Sequence, residues 1–250
     1  MNEPLHVRRI HSLRSLRWLG RGWADFAAAP LIGLTHGVVV AAFGGVLLWV
    51  GWTRFWALAG AFSGFLLVAP VISTGLYAVS RSIARGERPG WDTVWAVWRS
   101  LDRRLVGFGV LLTVQGTLWV LTSAALIHVW SDAPVNTPED FVRIVVLSPH
   151  AGLFEAWLLL GGLLAAPVFA STLVTIPLLM DRPQVSVMQA VATSLRAVAT
   201  NPVLSSLWAA ILMSLTLLGF GSMMFLLIPV LPVLGHASWH AYRDLVVRES

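Results

Sequence analysis

Two histidines and an aspartate stand four residues apart in His236-x3-His240-x3-Asp244. On a helix, residues four apart lie one turn above another, so both imidazoles and the carboxylate would form a ladder along one side. Two histidines at that spacing can share a metal such as zinc, with Asp244 or a histidine from elsewhere as third ligand. They cannot supply both axial ligands of one haem, because those approach from opposite faces. The same residues, beside Trp239, Tyr242 and Arg243, equally fit hydrogen bonding at the headgroup level of a membrane. His36 and Gln115 are the polar residues deepest within long apolar runs. A proton relay or a quinone contact would use such groups, and an ionisable residue at that depth is a functional hypothesis by default. A buried hydrogen bond between helices, worth about 1 kcal/mol, would use them too. Glu155, near His150 and the acidic loop 132–143, could meet an arriving cation or simply be solvated at the membrane surface.

The elements that must position these residues are apolar helices. Of 250 residues, 57% are hydrophobic and only 12% charged, with mean hydropathy +0.76. Soluble domains carry about 25% charged residues, so much of this surface must face lipid. Apolar runs cover Leu31–Trp52, Phe55–Ser80, Leu105–Trp130, Gly152–Met180 and Val203 to Tyr242. One span needs about 20 residues. The first four runs are therefore read as one helix each. The last breaks most naturally at Gly219-Phe220-Gly221-Ser222 into Val203–Leu218 and Ser222–Tyr242. The expected fold is all-α, a polytopic transmembrane bundle of about six spans over residues 31–242. A cytoplasmic amphipathic segment (1–30) precedes it and a short tail (243–250) follows.

All 17 basic residues are arginine, and the net charge is +5. They cluster at the ends of apolar runs, which argues against a nucleic-acid partner and for the positive-inside rule. Arg8, Arg9, Arg14, Arg17 and Arg21 precede the first span; Arg81, Arg85, Arg88, Arg99, Arg103 and Arg104 separate the second from the third. Arg54 and Arg143 alone fall on the other side, so both termini are expected in the cytoplasm of a bacterial inner membrane. No cleavable signal peptide is expected, since residues 1–30 lack an apolar core. Segments 8–29, 89–104 and 184–202 show helical apolar spacing with arginine opposite, which suits the headgroup plane. Each precedes a pair of spans, a rhythm that suggests three repeats of amphipathic helix plus hairpin. Gly33-x3-Gly37, Gly60-x3-Gly64 and Gly162-x3-Ala166 offer small faces for close helix contact.

If the repeats are real, Tyr77, Arg81, Asp181, Arg182, His236, His240, Tyr242, Arg243 and Asp244 converge at the inner surface. Such a cluster could lock helix ends together, or grip an anionic lipid headgroup or a partner subunit. The stretches GLYAVSRSIARGERPGW (75–91), IPLLMDRP (176–183) and PVLGHASWHAYRDL (232–245), with Trp18-Leu19-x-x-Gly22-Trp23-x-Asp25, resemble a family of bacterial integral membrane proteins known as domain of unknown function 2189. That resemblance implies a polytopic membrane protein and carries no activity with it.

There is no cysteine, no Gly-rich phosphate loop, no Gly-x-Ser-x-Gly elbow and no His-Glu-x-x-His. No Asp, Glu or Arg falls mid-span, which counts against an ion-coupled pump. The chain is therefore expected not to be an enzyme and to need no cofactor. Metal at His236, His240 and Asp244, or a quinone near His36, are the two exceptions to look for. Two functions remain. One is an accessory, assembly or scaffold subunit held by helix contacts in a larger respiratory or photosynthetic membrane complex. The other is a lipid, quinone or small-molecule binding or transport protein, with a cavity among proline-broken helices.

Overall fold

The computed structural model describes residues 5–100, 102–147 and 152–247, without the side chains of 62–64 and 66–71. It is helical throughout, with no strand beyond an isolated bridge among the described residues. Helices run as α1 (Arg14–Ala28), α2 (Pro30–Gly51), α3 (Phe55–Ala84), α4 (Trp91–Arg99), α5 (Arg103–Trp130) and α6 (Pro138–Phe141). A π turn (Val142–Val146) follows, then α7 (Leu153–Thr172), α8 (Thr175–Asp181), α9 (Val187–Thr200), α10 (Pro202–Gly221) and α11 (Leu227–Leu245). Among the described residues four segments are long and apolar enough to cross a membrane: Pro30–Gly51, Arg103–Trp130, Leu153–Asp181 and Pro202–Gly221. The protein is an all-α membrane helix bundle. A short helix followed by two long ones recurs three times: α1–α2–α3, α4–α5–α7, α9–α10–α11.

Prolines set the boundaries. The residue before a proline is pushed out of the α region, while proline itself suits a first helical turn. Ala29, before Pro30, has φ −138° and ψ 58°; Asn201, before Pro202, has φ −130° and ψ 58°. The same joint thus links α1 to α2 and α9 to α10. Pro177 has no N–H for the carbonyl of residue 173 and its ring crowds that carbonyl. The run expected as one helix over Gly152–Met180 accordingly breaks between Thr172 and Thr175. The last run turns at residues 222–226, where Met223 and Met224 take left-handed φ of 54° and 73°. Leu227 packs directly on Gly219 at this corner, where a Cβ would push the leucine side chain aside.

The chain forms two compact units. The first comprises residues 1–43, 70–107 and 169–250. In it α1 runs antiparallel to α11: Gly22 abuts Val233 and Ala237, and Trp18 reaches Asp244. Gly33 and Gly37 of α2 extend this contact to Pro232 and Ile228. Trp18 is fully buried, edge-on to Trp208 with centroids 5.5 Å apart. The segment expected to be helical from residue 8 is extended up to residue 10. Arg8 N donates to the Leu245 carbonyl (2.9 Å), Ile10 N to Asn201 Oδ1 (2.8 Å), and Val7 bridges Val246. Those bonds draw the backbone away from a helix. The apolar face of α1, expected to dip into lipid, instead packs on α11, while Leu13, Leu16 and Trp23 stay exposed.

The second unit comprises residues 44–69 and 108–168. Its small core gathers Ile127, Val135, Ile144, Val145 and Leu153. Trp157 Nε1 donates to Ser123 Oγ at 2.7 Å. A Cβ at Gly161 would stand 3.2 Å from the Trp119 ring, whereas one at Gly162 or Gly60 would meet nothing within 4 Å. The close approach expected at Gly162-x3-Ala166 is thus one residue earlier, and Gly64 lies outside the described side chains.

A Cβ at Gly22 would stand 2.5 Å from the Val233 carbonyl oxygen, but one at Gly20 would meet nothing. Gly22→Ala is expected to lower stability by about 1–3 kcal/mol through overpacking. Gly20→Ala is expected to raise it by about 0.5–1 kcal/mol through helix propensity. Thermal unfolding of both variants in one detergent checks the contrast.

Candidate functional site

Two groups of side chains in the first unit have the chemistry of a site. The first is a polar network along α1, α3, α8 and α11. His240 Nε2 donates to Asp25 Oδ2 at 2.8 Å, and Ser80 also hydrogen-bonds Asp25. Ser80 Oγ lies 2.8 Å from His236 Nδ1. A carboxylate only accepts, so Ser80 donates to Asp25 and accepts from His236 Nδ1–H. His236 is fully buried, and its Nε2 faces the Leu76 backbone without a well-formed hydrogen bond. Asp244 accepts from Trp18 Nε1 (3.0 Å), Arg14 Nε (3.1 Å) and Arg21 Nη1 (3.2 Å).

His236, His240 and Asp244 do stand on one side of α11, but they do not converge. Serine, aspartate and a tryptophan–arginine set engage them separately. Among the described residues no group of three His, Cys, Asp or Glu side chains is placed to hold a metal ion. The expected ladder is three rungs with three different partners.

The other residues of the expected polar cluster do come together. Tyr242 donates to Asp181 Oδ2 at 2.7 Å, and Arg182 donates to the Val247 carbonyl at 2.7 Å. Tyr77 stacks near Trp239 (6.5 Å, 25°), and Arg243 lies 5.9 Å over the same ring. Arg81 reaches the Met180 carbonyl at 3.5 Å. Arg104, absent from the expected set, binds most. It pairs with Asp102 at 2.6 Å and donates to the carbonyls of Leu179, Arg182 and Val185, closing the C-terminal end of α8. Cations belong at that end of a helix dipole.

The second group is an aromatic cavity of about 400 Å³ among α2, α3 and α4. Trp91, Trp95 and Trp98 recur at i, i+4 and i+7 along α4, which places them on one face. Fully buried Val94 fastens α4 to Ala29, Ile32 and Val79. His36 forms part of the wall, 3% exposed, parallel to Trp91 (6.3 Å, 2°) and tilted against Trp98 (5.4 Å, 57°). Its Nδ1 lies 2.8 Å from the Ile32 carbonyl. Both His36 Nε2 and Trp98 Nε1 are buried without a hydrogen-bond partner among the described residues. Gln115, on α5 in the second unit, also buries an unpaired Oε1. Glu155 occupies the first turn of α7, and His150 lies outside the described residues.

Asp25, Ser80, Trp18 and Arg104 escaped the sequence reading. A signal existed for Asp25: it is the sole acidic residue between Glu3 and Glu87, set in an arginine-rich segment. Trp18 and Ser80 lie in stretches that carry the family resemblance, but nothing local marks their contacts, because their partners Asp244 and His236 are more than a hundred residues away.

Among known families the chain matches one described as a predicted integral membrane protein (DUF2189), over residues 57–181, which is half the chain. No curated protein matches the chain significantly, and no solved structure does.

Burial alone would push the Asp25 carboxyl up. The hydrogen bonds from His240 and Ser80, with the nearby charges of His240 and His236, outweigh it and hold that group below the usual carboxylate range. Burial is likewise the largest influence on Asp244, outweighed by Trp18, Arg14 and Arg21. Depressed folded values mean that the unfolded chain takes up protons first as pH falls. Stability from both pairs should be complete above the ordinary carboxylate value of about 4 and fade below it. The melting-temperature gap between the wild type and Asp244→Asn is expected to stay constant from neutral to mildly acid pH and to narrow below about pH 4. Asp244→Asn should cost about 1–3 kcal/mol at neutral pH.

Proposed function

The chain belongs to the DUF2189 family of predicted integral membrane proteins, and on that premise we propose that it binds a small apolar molecule within the membrane, in the cavity walled by His36 and the α4 tryptophans. One observation carries this reading: a cavity of about 400 Å³ walled largely by three tryptophans, His36 and aliphatic side chains. Aromatic walls with few fixed polar groups are the usual make-up of a small-molecule site. The sequence alone ranked an accessory or scaffold role first. The cavity is what leads us to place binding first.

Binding without turnover is the reading we adopt: among the described lining residues the Thr35 hydroxyl is given to the Leu31 carbonyl and His36 has no acidic partner. We also retain six spans. α3 is a 30-residue helix of apolar composition, and α11 supplies 19 residues, although its last two turns carry His236, His240, Arg243 and Asp244. The arginine distribution supports a bacterial inner membrane with both termini in the cytoplasm. Membrane lipids are the constant partners in this picture, and the arginine-rich network is suited to their anionic headgroups.

Val39 lines the cavity and is 54% exposed, so a larger side chain there can fill the space without disturbing the buried core. Protein purified from native membranes in mild detergent is expected to retain about one apolar molecule per chain by native mass spectrometry, and Val39→Trp to lose it about tenfold or more. Finding no small molecule in either, with a second polypeptide co-migrating in constant ratio, would overturn this reading in favour of the accessory subunit.

A further inference from the structure

The arm before α1 and the start of α10 enclose a groove of about 510 Å³. The bonds that fasten the arm also build the groove. Ile10 N donates to Asn201 Oδ1 (2.8 Å), and Asn201 Nδ2 donates to the Arg8 carbonyl (2.9 Å). Ile10 packs against the buried core, whereas Arg9 and His11 stay exposed and line the groove with Ser12. Pro202, Val203 and Leu204 supply the α10 side. One side is therefore basic and polar, the other apolar.

The basic side has no counter-ion of its own. Arg9 and His11 form no ion pair among the described residues. The two stretches of chain that build the groove carry no acidic residue between Glu3 and Asp25, or between Asp181 and Asp244. Arg196, exposed one turn before Thr200 on α9, adds a further positive charge beside the groove. His11 Nδ1 accepts from Leu13 N at 3.4 Å, so the ring's hydrogen is on Nε2, which donates. Arg14 and Arg21 differ, for both are taken by Asp244.

The groove also lies at a defined depth. α10 is long and apolar enough to cross a membrane, and it begins at Pro202. The first turn of such a helix is where headgroups give way to hydrocarbon. Val203, on that turn, is 70% exposed. We propose that the groove holds one phospholipid of net negative charge, its phosphate on Arg9 and His11 and its glycerol and upper chains along Val203. This site is separate from the aromatic cavity and stands independently of the binding reading above. Guanidinium bonds to phosphate are charge-assisted and among the stronger hydrogen bonds. Basic residues at the membrane surface draw anionic lipids, whereas Arg9 and Arg196 would repel the ammonium of a zwitterionic headgroup. A free phosphate would serve Arg9 but leave the apolar side uncovered.

The test uses the full chain, stripped of its own lipid in mild detergent, and two lipids with the same chains: dimyristoyl-phosphatidylglycerol and dimyristoyl-phosphatidylcholine. Each is titrated and the lipid adducts are counted by native mass spectrometry. The first phosphatidylglycerol is expected to saturate at about a tenfold lower concentration than phosphatidylcholine. Arg9→Gln should remove that preference. Arg17→Gln, which changes an exposed arginine of α1 outside the groove, should leave it unchanged. The wild-type ratio needs no variant and decides the matter if a substitution misfolds. Equal binding of the two lipids would overturn the proposal. So would equal losses in Arg9→Gln and Arg17→Gln, which would mean a diffuse surface charge with no site. Displacement of the bound lipid by millimolar inorganic phosphate would overturn it too, in favour of a site for the free anion.

Discussion

The antiparallel packing of α1 on α11 holds this molecule's first unit together, and two carboxylates make that packing specific. Asp25 is 7% exposed. A charge so placed is tolerated only when opposing charge and hydrogen bonds replace water. His240 and Ser80 do this for Asp25, and Trp18, Arg14 and Arg21 do it for Asp244. Both sets fix the register of α1 along α11, because sliding by one turn would strand both carboxylates at once. Gly22 is the steric counterpart: it lets the backbones approach closely enough for those bonds to form.

The ends of the chain follow from the same constraint. With α1 fastened along α11, the residues before it must pass beside the end of α11 and the joint between α9 and α10. There they meet partners that a helix could not use. Asn201 accepts from Ile10 N and donates to the Arg8 carbonyl (2.9 Å), while Val247 N donates to the His6 carbonyl (3.0 Å). Asn201 is also the residue that Pro202 forces out of helical geometry. One residue thus ends α9, leads into α10 and anchors the N-terminal segment.

What the sequence made legible is whatever depends on local physics. Apolar length and period mark α2, α3, α5 and α10, and Pro30 and Pro202 mark where two helices begin. Four-residue spacing correctly puts His236, His240 and Asp244 on one side of α11. It says nothing of what faces them, and here Ser80, Asp25 and Trp18 come from α3 and α1. Likewise the apolar stripe of α1 reads the same whether it meets lipid or α11, because hydrocarbon and a packed helix are equally apolar. The tryptophans of α4 carry the same ambiguity. Trp95 stays exposed at the cavity's edge, but Trp91 and Trp98 turn to His36, which no periodicity connects to them.

The two buried histidines illustrate why chemistry alone does not make a site. Both keep Nδ1 engaged, His36 with the Ile32 carbonyl and His236 with Ser80, and both leave Nε2 without a partner. They face the same stretch of α3, where Gly75 lies against His36 and Leu76 against Gly235, the residue before His236. The difference is space. Leu76 and Gly235 fill the volume beside His236, which is fully buried and lines no cavity among those described. Beside His36 the spread of three indoles leaves about 400 Å³. An unpaired nitrogen in a filled interior is tolerated as a local cost, offset by the network around it. An imidazole whose ring borders a cavity, as that of His36 does, offers a guest an aromatic surface to pack on while its Nε2 stays buried.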